Sequence, residues 1–223
     1  MKAADKAYFA LRKALIEGTY PPGTRITEQE IAVIAEVSRT PVREAMRRLE
    51  AEGLLDVVAH QGAFIKAWSD DDAEDIFELR TMLEAFVARR AAEYASPEQL
   101  ARLRRLAETQ LTEATDCQAG YLERIADLNG QFHQTLQDAA ASERLKTTLA
   151  TLTEAPLVLQ TFRDYAHEDL VRSAHHHLEI VQALEAGDGS WAATVMRSHV
   201  LSARSVFRRE SDRHPAKSAR KTG

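Results

Sequence analysis

Hydrophobic and polar positions in residues 38–49 recur with the period of an amphipathic helix. Four apolar residues fall at i, i+3, i+4 and i+7, namely Val42, Ala45, Met46 and Leu49. A stripe of this kind packs against a core. The opposite face carries basic and hydroxyl side chains: Arg39, Thr40, Arg43 and Arg47. A short helix that is anchored on one side and offers guanidinium groups on the other has the form of a DNA recognition helix. For this stretch alone, a solvated basic face stays open as the alternative.

The pattern before this helix predicts the first half of a helix-turn-helix. Thr27 and Glu30 have the spacing of a capping box, and a short apolar face follows at Ile31, Ile34 and Ala35. Residues 36–38 are then the turn. We expect Thr40 to cap the second helix and Pro41 to take its first position, where the missing N–H of proline costs nothing.

The surrounding segments extend this motif to a winged helix. An earlier amphipathic helix contains Tyr8, Leu11 and Leu15 and ends near Gly18. After the recognition helix, Gly53 is a natural C′ residue, and two apolar runs at 54–58 and 63–67 are joined by residues 59–62. These elements predict three helices plus a two-stranded wing with a glycine at its tip, in a domain of residues 1–68.

Residues 69–212 have helical periodicity throughout and predict an all-α antiparallel bundle. Ser69 is the expected N-cap of the first helix, whose predicted apolar stripe consists of Ile76, Leu79, Leu83 and Phe86. Further helices are predicted from Pro97, over about 118–140, from Ser142, and over 168–185 and 190–210. Pro156 leaves six or seven helices open, because a proline kinks or splits a helix. Residues 213–223 are predicted to be a disordered basic tail.

Charge is distributed unevenly along the chain. The whole chain has 29 Lys and Arg against 34 Asp and Glu, a formal net charge of −5. Residues 39–48, by contrast, contain four arginines and one glutamate. The positive charge is therefore local to the recognition helix, as expected for a DNA-binding face on an acidic protein.

Length and composition limit the class of protein further. The 223 residues are 44% hydrophobic and suggest two domains. We find no run of about 18 apolar residues that would span a membrane and no signal pattern, so we expect a soluble protein in the cytoplasm. Cys117 is the one cysteine. It excludes an intrachain disulfide and a thiolate metal cluster.

Histidines and an amide in the helical region can be combined into a metal site. Asn129 and His133 are four residues apart, so both point to one side of a helix, about 40° from each other. His177 and His199 lie on two later helices. Three imidazoles and one amide oxygen suit a divalent transition metal inside a bundle. Because the chain has eight histidines, such a set also arises by chance, and this alternative stays open from spacing alone.

A resemblance to a known family covers nearly all of residues 7–67. The residues that carry it are Glu17-Gly18 through Pro22-Gly23, then Ser38-Arg39-Thr40-Pro41-Val42-Arg43-Glu44-Ala45, Glu52-Gly53-Leu54 and Gly62. They resemble the DNA-binding domain of the GntR superfamily of bacterial transcription regulators. The resemblance implies operator contacts by the recognition helix and a wing glycine near the minor groove. Gln29 departs from relatives that carry an arginine there. The residues predicted to bind DNA are Ser38, Arg39, Thr40, Arg43, Arg47, His60 and Gly62.

The second domain resembles the ligand-sensing FCD domain, nearest its FadR/VanR-like branch. The matching segments are Asn129 to Leu136, His177 to Leu184 with Gly187-Asp188, and Met196 to His199. The resemblance implies that Asn129, His133, His177 and His199 bind a divalent transition metal, zinc or nickel, which holds a small organic acid. The spacing to Gly187-Asp188 selects His177 from the run 175–177. Arg80 resembles an arginine that could bind the effector, with a surface arginine as the alternative.

Two classes of function follow. The first is a ligand-responsive repressor that binds a palindromic operator as a homodimer. The alternative is a metal-dependent, hydrolase-like enzyme that uses the three-histidine site. No carboxylate at motif spacing and no nucleophile motif supports the enzyme. Because the family residue at position 129 is most often aspartate, the neutral Asn129 predicts weaker metal affinity and a stronger demand for an anionic ligand.

Overall fold

The computed structural model describes residues 2–16, 19–21, 23–51, 53–58, 61–66, 70–153 and 164–213. These residues form two compact units, one ending at residue 66 and the other beginning at residue 70. Each unit is described by itself. Within the described ranges, no helix is both long enough and apolar enough to cross a membrane.

The first unit is a winged helix with one strand more than the sequence predicted. Its elements are α1 (Ala3–Ile16), β1 (Arg25–Ile26), α2 (Glu28–Ala35), α3 (Arg39–Ala51), β2 (Leu55–Val58) and β3 (Gly62–Ile65). The antiparallel strand order is β1-β3-β2, with Arg25 opposite Phe64 and Val57 opposite Ala63. The predicted two-stranded wing therefore lacked β1, because a two-residue strand is too short to show an alternation of apolar and polar residues.

The core of this unit confirms the predicted stripe of α3. Its four apolar side chains are at most 3% exposed: Val42, Ala45, Met46 and Leu49. They pack with buried residues of α1 and the sheet, such as Leu11 and Ile26. The predicted face of α2 is only partly correct, because Ile31 and Ala35 are buried but Ile34 is 43% exposed.

The ends of α2 and α3 show how the helix-turn-helix is built. Thr27 and Glu30 form the predicted capping box at the start of α2. Glu36 ends α2 in the left-handed conformation, with φ of 51°. The prediction that Thr40 caps α3 is wrong, since α3 begins at Arg39. Pro41 is tolerated as the third residue of α3 because first-turn N–H groups have no intrahelical partner anyway.

The second unit is all-α over residues 70–153 and 164–213. Its six described helices are α4 (Asp70–Tyr94), α5 (Pro97–Asp116), α6 (Tyr121–Ala139), α7 (Glu143–Thr153), α8 (His167–Glu185) and α9 (Gly189–Arg213). Helix α4 packs along α9, and α5 packs between α6 and α8. Ser69, Pro156 and residues 214–223 lie outside the described residues. Arg213 is helical, so the predicted tail does not begin there.

The buried face of α4 differs from the prediction. Leu79 is 43% exposed and Phe86 is 38% exposed, whereas Ile76 is buried. The face that is turned into the unit consists largely of small and charged residues: Ala73, Phe77, Arg80, Glu84, Ala88 and Ala91. The predicted stripe is correct at Ile76 and wrong at Leu79 and Phe86, because this interface buries alanines and a salt bridge beside Phe77. This salt bridge becomes part of the candidate site below.

Candidate functional site

The first candidate site is the exposed face of α3 and the wing. The five predicted contacts in α3 and the turn before it are all exposed, namely Ser38, Arg39, Thr40, Arg43 and Arg47. Arg39 and Arg43 line a concavity of about 440 Å³ together with Arg25, Gln29, Gln61 and Gly62. His60 lies outside the described residues. The predicted recognition helix and the wing therefore line one concavity, which also includes the apolar residues Met46, Val57 and Val58.

The arginines of this surface are held by neighbouring oxygens. Arg43 Nε donates to Glu28 Oε1 over 2.7 Å, and Arg39 Nη2 donates to Gln29 Oε1 over 2.9 Å. The hydrogen bond to Arg43 lowers the pKa of Glu28, and it raises the pKa of Arg43 in turn. Gln29 thus supports Arg39 here.

Arg25 is a basic residue of this surface that the sequence analysis missed. Its Nε donates to the carbonyl oxygen of Gln61 over 2.5 Å, which joins β1 to the turn of the wing. The sequence signal was weak, because a single arginine before a helix cap carries no pattern. Only the pairing of β1 with β3 brings Arg25 to the same surface as α3.

Gly62 has a structural reason for being glycine. Its φ is 101°, and a Cβ at this position would lie 2.7 Å from the backbone oxygen of Ile26. A side chain would therefore separate β1 from β3. This requirement explains the glycine independently of any contact with a minor groove.

The second candidate site is a cluster of three histidines inside the second unit. His133 of α6, His177 of α8 and His199 of α9 each offer a nitrogen, and these atoms all lie within 4.8 Å of one another. His175 is exposed and His176 is half-buried. His177, the residue selected from the run, is the one that joins the cluster. Asn129 is buried one turn before His133 on α6.

The unsatisfied polar atoms of this cluster fit a metal ion. Asn129 Oδ1, His177 Nε2 and His199 Nδ1 are buried, and none has a hydrogen-bond partner among the described residues. Each such atom costs about 1–3 kcal/mol unless a partner is supplied. A divalent transition metal accepts both imidazole nitrogen and amide oxygen. The three imidazoles, whose nitrogens lie within 4.8 Å of one another, are therefore suited to hold one ion, and Asn129 Oδ1 is a further unpartnered donor on the helix of His133.

Burial also keeps two of these imidazoles in the form that binds metal. Desolvation lowers the pKa of His177 well below its ordinary value, and the neighbouring His199 and His133 lower it further. Burial and then His133 have the same effect on the pKa of His199. Both rings are therefore neutral at pH 7, with a lone pair available for a ligand bond.

Other side chains around the cluster position its rings. Oε1 of Gln110 lies 2.6 Å from Nδ1 of His177, and the Phe132 ring stacks on the same imidazole with centroids 3.9 Å apart. Because an amide oxygen only accepts, Nδ1 carries the proton and Nε2 stays free. Gln110 was not predicted, since a buried polar residue on a helix has no sequence pattern of its own.

Arg80 belongs to this region and not to the surface. It is 5% exposed, and its Nε donates to Glu84 Oε1 over 2.7 Å. Oε2 of Glu84 lies 3.0 Å from Nδ1 of His133. Burial alone raises the pKa of Glu84, but the charge of Arg80 and the contact with His133 outweigh it and hold the pKa far below its ordinary value. The sequence analysis named Arg80 and missed Glu84.

Comparisons with known proteins match both units. Residues 3–65 match the family model described as bacterial regulatory proteins, gntR family, and residues 75–202 match the FCD domain. The chain is 29% identical to the HTH-type transcriptional repressor RspR of Escherichia coli K12 over 200 residues, covering 88% of this chain and 85% of the relative. It is 35% identical over 144 residues to the uncharacterized HTH-type transcriptional regulator YdhC of Bacillus subtilis, covering 64% of this chain and 62% of that relative.

A solved structure shows the same fold. E. coli McbR/YncC superimposes with a TM-score of 0.78 at 20% identity, covering 94% of this chain and 99% of that one. The matching families and relatives are transcription regulators and not enzymes. The hydrolase-like alternative is therefore rejected. FCD domains often bind metals, which agrees with the histidine cluster.

Proposed function

Because the chain belongs to the GntR family of bacterial transcription regulators and carries an FCD effector-binding domain, we propose that it is a metabolite-responsive repressor. In this proposal, a homodimer binds a palindromic operator. A small organic acid, held at a divalent metal in the second unit, changes that binding. The observation that carries the proposal is the convergence of three imidazoles from three helices, two of which have a buried nitrogen without a hydrogen-bond partner among the described residues.

The operator contacts are proposed to come from the exposed face of α3. An arginine that forms two hydrogen bonds to a guanine contributes about 1–3 kcal/mol of discrimination. Arg39 and Arg43 line the concavity beside the wing, which favours base or phosphate contacts. Thr40, Ser38 and Arg47 extend the same exposed surface and suit the phosphate backbone.

The metal and the effector are proposed to share the histidine cluster. Asn129, His133, His177 and His199 would hold zinc or nickel. When bound, such an ion supplies positive charge and open coordination positions. The donor set is neutral, so an anionic carboxylate is favoured in those positions. Arg80 adds a guanidinium at the same region and Tyr165 lies within its electrostatic reach, with a pKa raised by burial so that its hydroxyl stays protonated.

The homodimer is proposed to use the outer face of α4. Leu79, Met82 and Phe86 are 43%, 58% and 38% exposed and follow the spacing of one helical face. Several large apolar side chains in one exposed row are typical of an association surface. A second copy is the occupant we propose, because a two-fold axis brings identical apolar rows together and matches two recognition helices to a palindrome.

Operator binding is tested with duplexes selected from a random pool by the full chain. Arg43→Ala is expected to weaken binding by about 1–3 kcal/mol at fixed salt, measured by fluorescence anisotropy. Arg48→Ala is the matched control. It lies on the same helix, but its side chain pairs with Asp5 and covers the Tyr8 ring instead of facing the wing. Equal affinities for the wild type and Arg43→Ala would contradict the proposed reading face.

Effector binding is tested by thermal-shift measurements with a panel of small organic acids, in the presence of Zn²⁺ and again in EDTA. An effector should stabilise the metal-loaded chain and release the selected duplex, and EDTA should abolish both effects. Calorimetry then compares the best acid with its amide analogue. Equal binding of the two would contradict the demand for an anionic ligand that we derive from Asn129.

A further inference from the structure

Glu84 is a buried carboxylate that lies between an arginine and a histidine of the candidate metal centre. Its side chain is 2% exposed. One oxygen, Oε1, accepts a hydrogen bond from Arg80 Nε over 2.7 Å, and the other, Oε2, lies 3.0 Å from Nδ1 of His133. Arg80 and Glu84 are one turn apart on α4, whereas His133 is on α6. The carboxylate therefore connects two helices at the site.

The surroundings of Glu84 Oε2 indicate the role of this oxygen. This oxygen has no well-aligned hydrogen-bond donor in the described part of the chain, so its contact with His133 is close but not linear. A buried carboxylate oxygen without a donor is costly. An imidazole that carries its proton on Nδ1 is the donor that removes this cost. A neutral imidazole has only one N–H, so a proton on Nδ1 leaves Nε2 free.

Gln110 holds the Nδ1 proton of His177 in the same way, but its side chain is uncharged. Its amide oxygen meets Nδ1 of His177 over 2.6 Å and brings no net charge. Glu84 instead pairs with the permanently charged guanidinium of Arg80, so it brings a negative charge to the far side of His133. A carboxylate on the far nitrogen of a metal-binding histidine makes that ring a stronger ligand. The ligand set itself, three imidazoles and the Asn129 amide, is neutral.

We propose that Glu84 is a positioning residue of the metal centre. It holds the Nδ1 proton of His133 so that Nε2 is free for the ion, and it places a negative charge beside a neutral ligand set. Arg80 keeps the carboxylate in place through Oε1. This inference rests on the proposed function, because it concerns the metal of the same site. It adds an acidic residue, contributed by α4, that does not itself contact the ion.

The test is a Co²⁺ titration of the EDTA-treated full chain, followed by visible absorption. Glu84→Gln keeps the size of the side chain and removes its charge, and it is expected to weaken Co²⁺ binding about 10-fold to 100-fold. Glu74→Gln is the matched control. Glu74 is another arginine-paired glutamate of α4, but it pairs with Arg204 and Arg208 of α9 and touches none of the three histidines. Its variant should bind Co²⁺ like the wild type.

A second variant separates this role from folding, because Glu84→Gln leaves the Arg80 charge buried without its partner. In the double variant Arg80→Gln/Glu84→Gln both charges are gone, and Co²⁺ binding should stay about 10-fold to 100-fold weaker. Wild-type affinity in either variant would overturn the inference. A wild-type chain that binds no Co²⁺ would instead contradict the metal site of the proposed function, so the two failures are distinguishable.

Discussion

The thermal stability of the second unit provides the sharpest test of its metal site. His133→Ala removes one of three imidazoles whose nitrogens lie within 4.8 Å of one another. With Zn²⁺ at about 1,000 times its Kd, binding stabilises the wild type by about 4 kcal/mol. If the loss of one ligand weakens binding about 1,000-fold, the same Zn²⁺ concentration contributes only about 0.4 kcal/mol.

These free energies correspond to a large difference in melting temperature. A unit of this size gains roughly 3–4 °C per kcal/mol, so Zn²⁺ should raise the Tm of the wild type by about 12–16 °C. The same addition should raise the Tm of His133→Ala by about 1–2 °C. The EDTA-treated forms should both melt cooperatively, because α6 keeps its other buried residues, such as Phe132 and Leu136.

The assay is far-ultraviolet circular dichroism during heating, first in EDTA and then in Zn²⁺. His175→Ala is the matched control, because this exposed neighbour of the cluster lies outside it and should keep the full shift. A full Zn²⁺ shift in His133→Ala would refute the assignment of this ligand. The absence of any shift in the wild type would refute the site as a whole.

Three further predictions concern other parts of the molecule. Met82→Glu should convert the proposed dimer to monomers in analytical ultracentrifugation, since it puts a charge into the apolar row of α4; an unchanged sedimentation coefficient would place the interface elsewhere. Two arginines lower the pKa of Glu74 from 4.5 to about 2, so Glu74→Gln should reduce the free energy of unfolding by about 2–3 kcal/mol at pH 7. A lowered carboxyl pKa stabilises the folded state at pH values above the pKa of the unfolded state. The difference in unfolding free energy between wild type and variant should therefore disappear in urea titrations as the pH falls from about 4.5 to 2. Gly62→Ala should reduce the free energy of unfolding by about 1–3 kcal/mol, because its Cβ would meet the backbone oxygen of Ile26. The control Gly130→Ala, whose Cβ would lie in open space on α6, should be neutral or stabilising in the same titrations.

The recognition helix was predictable from sequence because its apolar and polar residues are fully segregated. Val42 and Leu49 are both completely buried, and Arg43 is exposed, as the helical period requires. The capping box at Thr27 was equally readable, since both partners are three residues apart. Such local patterns determine an element before any tertiary contact is known.

The first helix of the second unit was not predictable in the same way. Its large apolar residues Leu79 and Phe86 point outward, while Arg80 and Glu84 point inward. A sequence pattern assigns charge to the surface, because an unpaired buried charge is prohibitive. Only the folded unit shows that these two charges neutralise each other. Buried polar partners of this kind are defined by proximity in space and leave no periodic signal.

The ion pair between Arg43 and Glu28 has a consequence for how the chain searches a genome. On an arbitrary duplex, Arg43 would exchange the Glu28 carboxylate for a phosphate, one ion pair for another, and Glu28 would repel the same backbone. Little net free energy is then gained at the millions of incorrect positions that compete for each molecule. At a correctly placed guanine, the proposed pair of hydrogen bonds from Arg43 would add about 1–3 kcal/mol of discrimination. If Arg43 reads a guanine as proposed, Glu28 would thus shorten the time that the chain spends on wrong sequences.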